Sequence, residues 1–465
     1  MRNSVMTRWA GQRPERPGSA TWRNWSGTAR CTPAQWIIPT TEDEVVDTVA
    51  MAGARGLPLR PAGTGHSFNA VACTDGVLLD LTRYTGVVAV DRDAPSVTVR
   101  AGTRVDALNR ALHAVGLALP NLSTLAEQTV AGMLATGTHG TGIGYPPFGG
   151  YVTEFRLVTP DGVVHTCNPD AEPELFRHAR TALGTLGVIT TVTVRCVPAF
   201  NLRVRERTEP VAAIMDHFAD WVRSADHVSF SFPSWGDTAS ARYLDATDAA
   251  VTSEAARRRR ASSLTEVRCA LVGQAGRVSG AAVPWLAGLA GRLGGRGGQA
   301  REFVDIGYRA FTFPQPVRFL STEYALALED VVPAVATLRA ALRRVGLHSP
   351  YSSTVRVSDA DDAPLSPAYG RQTGYVNLTV PRTVGYLEIL RTAEAVFGEH
   401  DGRPHWGKAH TATAATLAPR YPEWDEFQRM RTRLDPNATF TSDHVRTVLG
   451  PVAGERARER GEVAR

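Results

Sequence analysis

The chain has few cysteines, and none is placed to staple it. Its five, Cys31, Cys73, Cys167, Cys196 and Cys269, are scattered with no CxxC pair, which argues against a disulfide framework and a structural zinc site. They are expected to be reduced and mostly buried, as free thiols usually are. No stretch approaches the roughly 18–20 apolar residues needed to cross a bilayer. The opening MRNSVMTRWAGQRPERPGS is polar and lacks the apolar core of a secretory signal, so a cytoplasmic location and no membrane span are expected. His405 and His410 have no HExxH or carboxylate set beside them, and no metal is expected. The net charge of +5 comes largely from arginine, in the Arg257–Arg260 run and in GRLGGRGGQAR near residue 291. Neither carries the aromatics or module of a nucleic-acid reader. The stretch reads as a solvated, partly mobile insertion, and the polar tail GERARERGEVAR as frayed.

What is present is a globular composition, 43% hydrophobic and 21% charged over 465 residues, long enough for two or three domains. Residues 36–60 read as strand, cap, helix, strand: Thr41 precedes acids at 42–44, apolar residues follow at helical spacing, and Gly56 ends the element. GVLLDL, VVAV and SVTVRAG are short β-branched runs; AGTRVDALNRALHAVG (101–116) is an amphipathic helix; FRLVTPDGVVHT is a hairpin about Asp161–Gly162. From about 201 the character changes to alternating strands around a helix at 331–346, which fits an antiparallel sheet with one covered face. The division expected is 1–200, 201–403 and a C-terminal segment 404–465.

Two glycine-rich turns stand out. Gly63-Thr64-Gly65-His66-Ser67 lies between two strands, so it is not the strand-to-helix dinucleotide fingerprint. Its glycines could simply make a tight turn, or could let backbone N–H groups approach phosphate oxygens. Gly137-Thr138-His139-Gly140-Thr141-Gly142 has the same property. Two such loops in one α/β region suggest a nucleotide cofactor.

RPAGTGHSFN, LALPNLSTLAEQTVAGMLATGTHGTG, LGTLGVITTVTV, LSPAYGR and RPHWGK, in this order, resemble the aldonolactone and alditol oxidases. These belong to the vanillyl-alcohol-oxidase-type flavoproteins. The similarity spans about residues 20–450 and is weakest at 245–305. It implies an α+β fold of two domains, a PCMH-type FAD-binding domain and an antiparallel-sheet cap. It also implies FAD joined through the 8α-methyl to His66, which favours the reduced flavin and prevents cofactor loss. No cysteine occurs at Asn121–Thr124, so one link is expected. The cofactor residues implied are Gly63, Thr64, Gly65, His66, Ser67, Ser123, Thr124, Gly132, Thr136, Gly137, Thr138, His139, Gly140, Gly187, Val188 and Ile189.

Alcohol oxidation needs the reacting carbon about 3–3.5 Å from flavin N5, a proton acceptor and fixed positive charge for the anionic reduced flavin. The resemblance carries Lys408 and Arg356 onto the catalytic roles, with Thr124 and Thr354 beside them in substrate contact; Asn377 and Thr379, which alternation puts on one face of the VNLTV strand, are further substrate-contact candidates. One departure matters: family members read Glu-x-Arg where this chain has Thr354-Val355-Arg356. Without that carboxylate the pocket is expected to be more positive and the substrate altered. Ser123 matches a small residue whose size can gate oxygen. The implied activity is oxidation of a CH–OH group of an alditol, sugar lactone or related polyhydroxylated molecule by hydride transfer to flavin, with O2 as acceptor. The alternatives are a tailoring oxidase acting on a non-sugar or anionic substrate, and a flavin-binding protein without turnover.

Overall fold

The structure, a computed structural model, describes residues 20–233, 236–255, 300–313, 315, 317–346, 349, 351–382 and 387–452. The Arg257–Arg260 run, Cys269, most of GRLGGRGGQAR and the tail lie outside the described residues.

The helix Glu42–Arg55 begins as its sequence dictates. Thr41 and Glu44 form a reciprocal capping box, acids fill the first turn, and Gly56 closes the helix at φ 62°. Its buried face, Val45, Val49 and Ala52, packs on the strands Val77–Asp80, Val152–Val158 and Val188–Arg195. The packing is close: a Cβ at Gly53 would lie 2.2 Å from the Pro160 carbonyl oxygen. This helix joins two strands of a three-stranded parallel sheet ordered Gln35–Ile37, Val77–Asp80, Leu59–Ala62. The Gly63–Ser67 turn therefore leaves the carboxyl end of a parallel strand, where open α/β sheets characteristically bind ligands.

Beside it lies a five-stranded antiparallel sheet, ordered 164–167, 152–158, 188–195, 96–100, 87–91. The Asp161–Gly162 hairpin forms as expected, with Val158 opposite Val164 and Gly162 at φ 81°. Of the described cysteines, Cys167 and Cys196 are buried and Cys31 and Cys73 half-buried, all free.

The larger sheet has eight strands: 301–306, 201–210, 238–247, 227–232, 353–358, 373–380, 320–327 and 403–404. Alternation sorts its central strands. Val355, Val357, Val376, Leu378, Tyr324 and Leu326 face one core with the helices Val331–Val345 and Leu387–Gly398. Thr354, Arg356, Asn377, Thr379, Ser321 and Glu323 face the other way, into a cavity. After strand 403–404 the chain leaves this sheet. Leu417, Tyr421, Phe427, Phe440 and Val448 join the core built by residues 45–196.

Arg60 clamps three of these pieces. Fully buried at 1% exposure, it donates to the carbonyls of Val71, Leu183, Gly184 and Phe440. Arg60→Leu strands those acceptors, each worth about 1–3 kcal/mol when left unpaired and buried. Urea unfolding should show a loss of about 3 kcal/mol or more with an unchanged m-value.

Candidate active site

The anchor turn is held from two sides. The Trp22–Arg23/Arg30–Cys31 hairpin supplies Trp25, whose N–H donates to the Gly65 carbonyl at 2.7 Å and whose ring stacks on His66 at 4.0 Å. Asn24 donates to the carbonyls of Ser67 and Asn69. From the C-terminal side, Asn69 Nδ2 donates to the carbonyls of Trp406 (2.8 Å) and Lys408 (2.9 Å), and Phe68 N–H to Gly407 at 2.8 Å. The His66 ring is thus fixed in place while its Nδ1 is buried with no hydrogen-bond partner. Burial, with Lys408 nearby, pushes its pKa down to about 3, so the ring is neutral and nucleophilic at working pH.

His66 opens on a cavity of about 360 Å³ between the region of the two smaller sheets and the large sheet. Gly63, Thr64, Gly65 and Ser67 line it with Ser123, Thr124, Gly132, Thr136, Thr138, His139, Gly187 and Ile189. Thr354, Arg356, Asn377, Thr379 and Lys408 close the other side. Gly137, Gly140 and Val188 are not on the wall. Gly137 adopts φ 65°, where a Cβ would lie 3.0 Å from Pro367 Cδ, and a Cβ at Gly140 would lie 2.2 Å from Asn121 Oδ1. Val188 is buried in the core behind. Gly63, which does line the cavity, is also required by packing, since its Cβ would lie 2.2 Å from Thr129 Oγ1.

The polar side chains form an ordered row. Register places Glu323 opposite Asn377, Asn377 opposite Thr354, and Thr354 opposite Ser231. Thr354 Oγ1 lies 2.9 Å from Ser231 Oγ; Thr379 donates to Asn377 Oδ1 at 3.2 Å; Asn377 Nδ2 donates to Ser321 Oγ at 2.8 Å. Lys408 Nζ donates to that same Ser321 oxygen at 3.3 Å and sits 4.8 Å over the Phe68 ring. Arg356 reaches Thr124 Oγ1 at 3.4 Å. Burial lowers the pKa of both Lys408 and Arg356, with Glu323 acting in the opposite sense.

Glu323 was not found from sequence. It is 2% exposed and the one carboxylate among the described residues lining the cavity. His139 Nε2 lies 3.0 Å from its Oε1, and Arg356 Nη1 3.9 Å from its Oε2. Burial opposes its charge, but His139 and Lys408 outweigh burial and hold the carboxyl well below the usual carboxylate range. Thr354 is neutral, and Glu323, two strands away in the same row, brings a carboxylate to the cavity beside Arg356 and Lys408. The available signal was a lone acid in the otherwise uncharged, buried strand LSTEYALA, since a buried charge demands partners.

The overall arrangement matches that of solved cholesterol oxidases. Cholesterol oxidase from B. sterolicum superimposes with a TM-score of 0.73 over 93% of this chain and 96% of that one, at 16% identity. This is the two-domain α+β fold of the vanillyl-alcohol-oxidase type, and residues 33–168 match the FAD-binding domain profile. The protein is an FAD-dependent oxidoreductase. Residues 192–448 match the profile of D-arabinono-1,4-lactone oxidase, and the chain belongs to that family. Among its relatives, the L-gulono-1,4-lactone dehydrogenase of Mycobacterium tuberculosis is 35% identical over 93% of this chain and 100% of its own. The alditol oxidase of a Streptomyces species is 31% identical over 92% and 98%. The L-gulonolactone oxidase of Bos taurus is 29% identical over 92% and 98%. Among the described residues, no helix is long and apolar enough to cross a membrane.

The double tie from Asn69 predicts a split outcome for Asn69→Ala. Two buried carbonyls lose their donor, so stability should fall by about 2 kcal/mol. Anaerobic flavin reduction should slow at least roughly tenfold as the Lys408 segment loosens from the anchor turn. Stopped-flow absorbance on the folded variant reads the second effect.

Proposed function

We propose that the protein carries FAD covalently on His66 and oxidises a CH–OH group of an alditol, sugar lactone or related polyhydroxylated molecule, with O2 as acceptor. The observation that carries this reading is the His66 ring: neutral, stacked on Trp25, and presenting a buried, unpartnered Nδ1 at the wall of the cavity. A buried nitrogen without a partner is costly; a bond to carbon removes the cost. The glycine-lined turn and the threonine-rich second loop fit a flat ring system with a phosphate tail. FAD, when bound, supplies the two-electron acceptor.

This chain's own residues provide the rest. Lys408 and Arg356 place positive charge where the hydroxyl oxygen and the reduced ring gain negative charge. Thr124, Thr354, Asn377 and Thr379 offer hydroxyl and amide groups that match a polyol and hold it in one orientation. The Glu-to-Thr departure at 354 pointed to an anionic or non-sugar substrate; Glu323 keeps one carboxylate in the row and offsets part of the positive charge. The lactone and alditol names of the relatives support the polyhydroxylated reading. The cytoplasm is the proposed location.

Acid precipitation tests the linkage: the wild-type pellet should stay yellow and the His66→Ala pellet should be colourless, and a colourless wild-type pellet overturns the covalent claim. Xylitol and gulonolactone should bleach the flavin anaerobically in the wild type; bleaching by neither, with Thr354→Glu restoring it, would return the altered-substrate reading. Lys408→Met should slow reduction by roughly 10²–10³-fold, the range for one lost stabilising donor. Because burial lowers the Lys408 pKa, its charge is lost as pH rises through a value below the ordinary lysine range. The alkaline limb of the reduction rate should therefore fall below that range and move up in Lys408→Arg.

A further inference from the structure

His139 was expected to serve the cofactor from its glycine loop, but its ring is committed elsewhere. The side chain is 3% exposed and lies flat on Tyr375, ring centroids 3.3 Å apart. Nδ1 is 2.9 Å from the Gly140 carbonyl oxygen, and Nε2 is 3.0 Å from Glu323 Oε1. A carbonyl oxygen can only accept, so Nδ1 carries a hydrogen. A neutral ring would then turn the Nε2 lone pair toward a carboxylate oxygen, with nothing between two acceptors. A second proton must occupy that contact.

The groups around Glu323 decide where the proton resides. Arg356 faces it from strand 353–358, Lys408 and His405 from the C-terminal segment, and Tyr375 from strand 373–380. Two of these are cations, and His405 is kept neutral by burial, its pKa down to about 3. They favour the carboxylate form of Glu323, which leaves the proton on the imidazole.

We propose that His139 is a resident cation of the site, protonated on both ring nitrogens and locked by Glu323, and that Glu323 is a positioning residue acting through His139, Arg356 and Lys408. Its role rests on the oxidation proposed above; its protonation does not. Around Glu323, three positive charges, on His139, Arg356 and Lys408, then face one negative charge. A surplus of buried positive charge favours whatever species in the cavity gains negative charge.

The test uses perdeuterated holoenzyme labelled with [15N]histidine. One ring should show both nitrogens protonated at pH 7.5, and Glu323→Gln should convert it to a singly protonated ring, because the new amide donates to Nε2. The same variant should slow anaerobic flavin reduction about tenfold or more, mainly in the limiting rate rather than in the half-saturating substrate concentration, and Glu323→Asp should recover part of it. A wild-type spectrum with no doubly protonated ring at pH 7.5 overturns the proposal, and needs no variant to fold. So does a Glu323→Gln enzyme with the doubly protonated ring and the rate unchanged. If this signature is present while no polyol or lactone bleaches the flavin, the substrate reading fails and the resident cation stands; the converse result separates them the other way.

Discussion

The large sheet turns a charged face into a closed space, and this one constraint organises the site. A carboxylate at 2% exposure is tolerated only with partners, and the fold brings them from three separate stretches: His139 after the helix Val130–Ala135, Arg356 on strand 353–358, and His405 with Lys408 in the HWGK segment. Those stretches meet because residues 403–404 pair at the edge of the large sheet before the chain crosses back to the first core. The crossing drops the HWGK segment between Glu323 and the anchor turn. The His405 N–H donates to the Glu323 carbonyl, and Asn69 grips the backbone on the other side of the segment. The positions of His66 and Lys408 are thus fixed by one strip of backbone.

Much of this was legible because it is local. The Thr41 cap, the Gly56 stop, the Asp161–Gly162 hairpin and the shared face of Asn377 and Thr379 follow from periodicity and turn chemistry, which need no knowledge of distant contacts. His66 was legible as a position in a turn, but a turn of glycines has several uses. Only the ordered motifs around it, and then its unpartnered nitrogen, narrowed them. What stayed hidden is long-range. Arg60 reads as an ordinary surface arginine until four carbonyls from residues 71 to 440 converge on it. Trp25 lies in a polar N-terminal stretch with no periodic signal. Glu323 pairs with a residue 184 positions away.

The glycines show how one composition serves two ends. Both loops invite the reading that a missing Cβ makes room for a ligand, yet the Cβ positions at Gly63 and Gly140 point at Thr129 and Asn121. These glycines let chain approach chain, and the loops are then close enough to one another to wall a cavity with backbone. Ligand access follows from that packing; the glycines at 137 and 140 contribute to it without touching the cavity.

Relatives of similar identity are named as dehydrogenase and as oxidase, so the acceptor is set by something smaller than the fold. The resemblance assigns that control to the position of Ser123. A free serine hydroxyl would rotate and offer a polar atom to the cavity. Here Ser123 Oγ donates to the Leu125 carbonyl at 3.0 Å and accepts from Gln128 at 3.0 Å. Gln128 in turn accepts from Thr138 at 3.4 Å, which ties the serine to the second glycine loop. With its hydroxyl saturated, Ser123 presents mainly a fixed Cβ, and its bulk toward the cavity is that of an alanine held rigidly. Any control it exerts over oxygen is steric and static, set by the Gln128 bridge rather than by the polarity of serine.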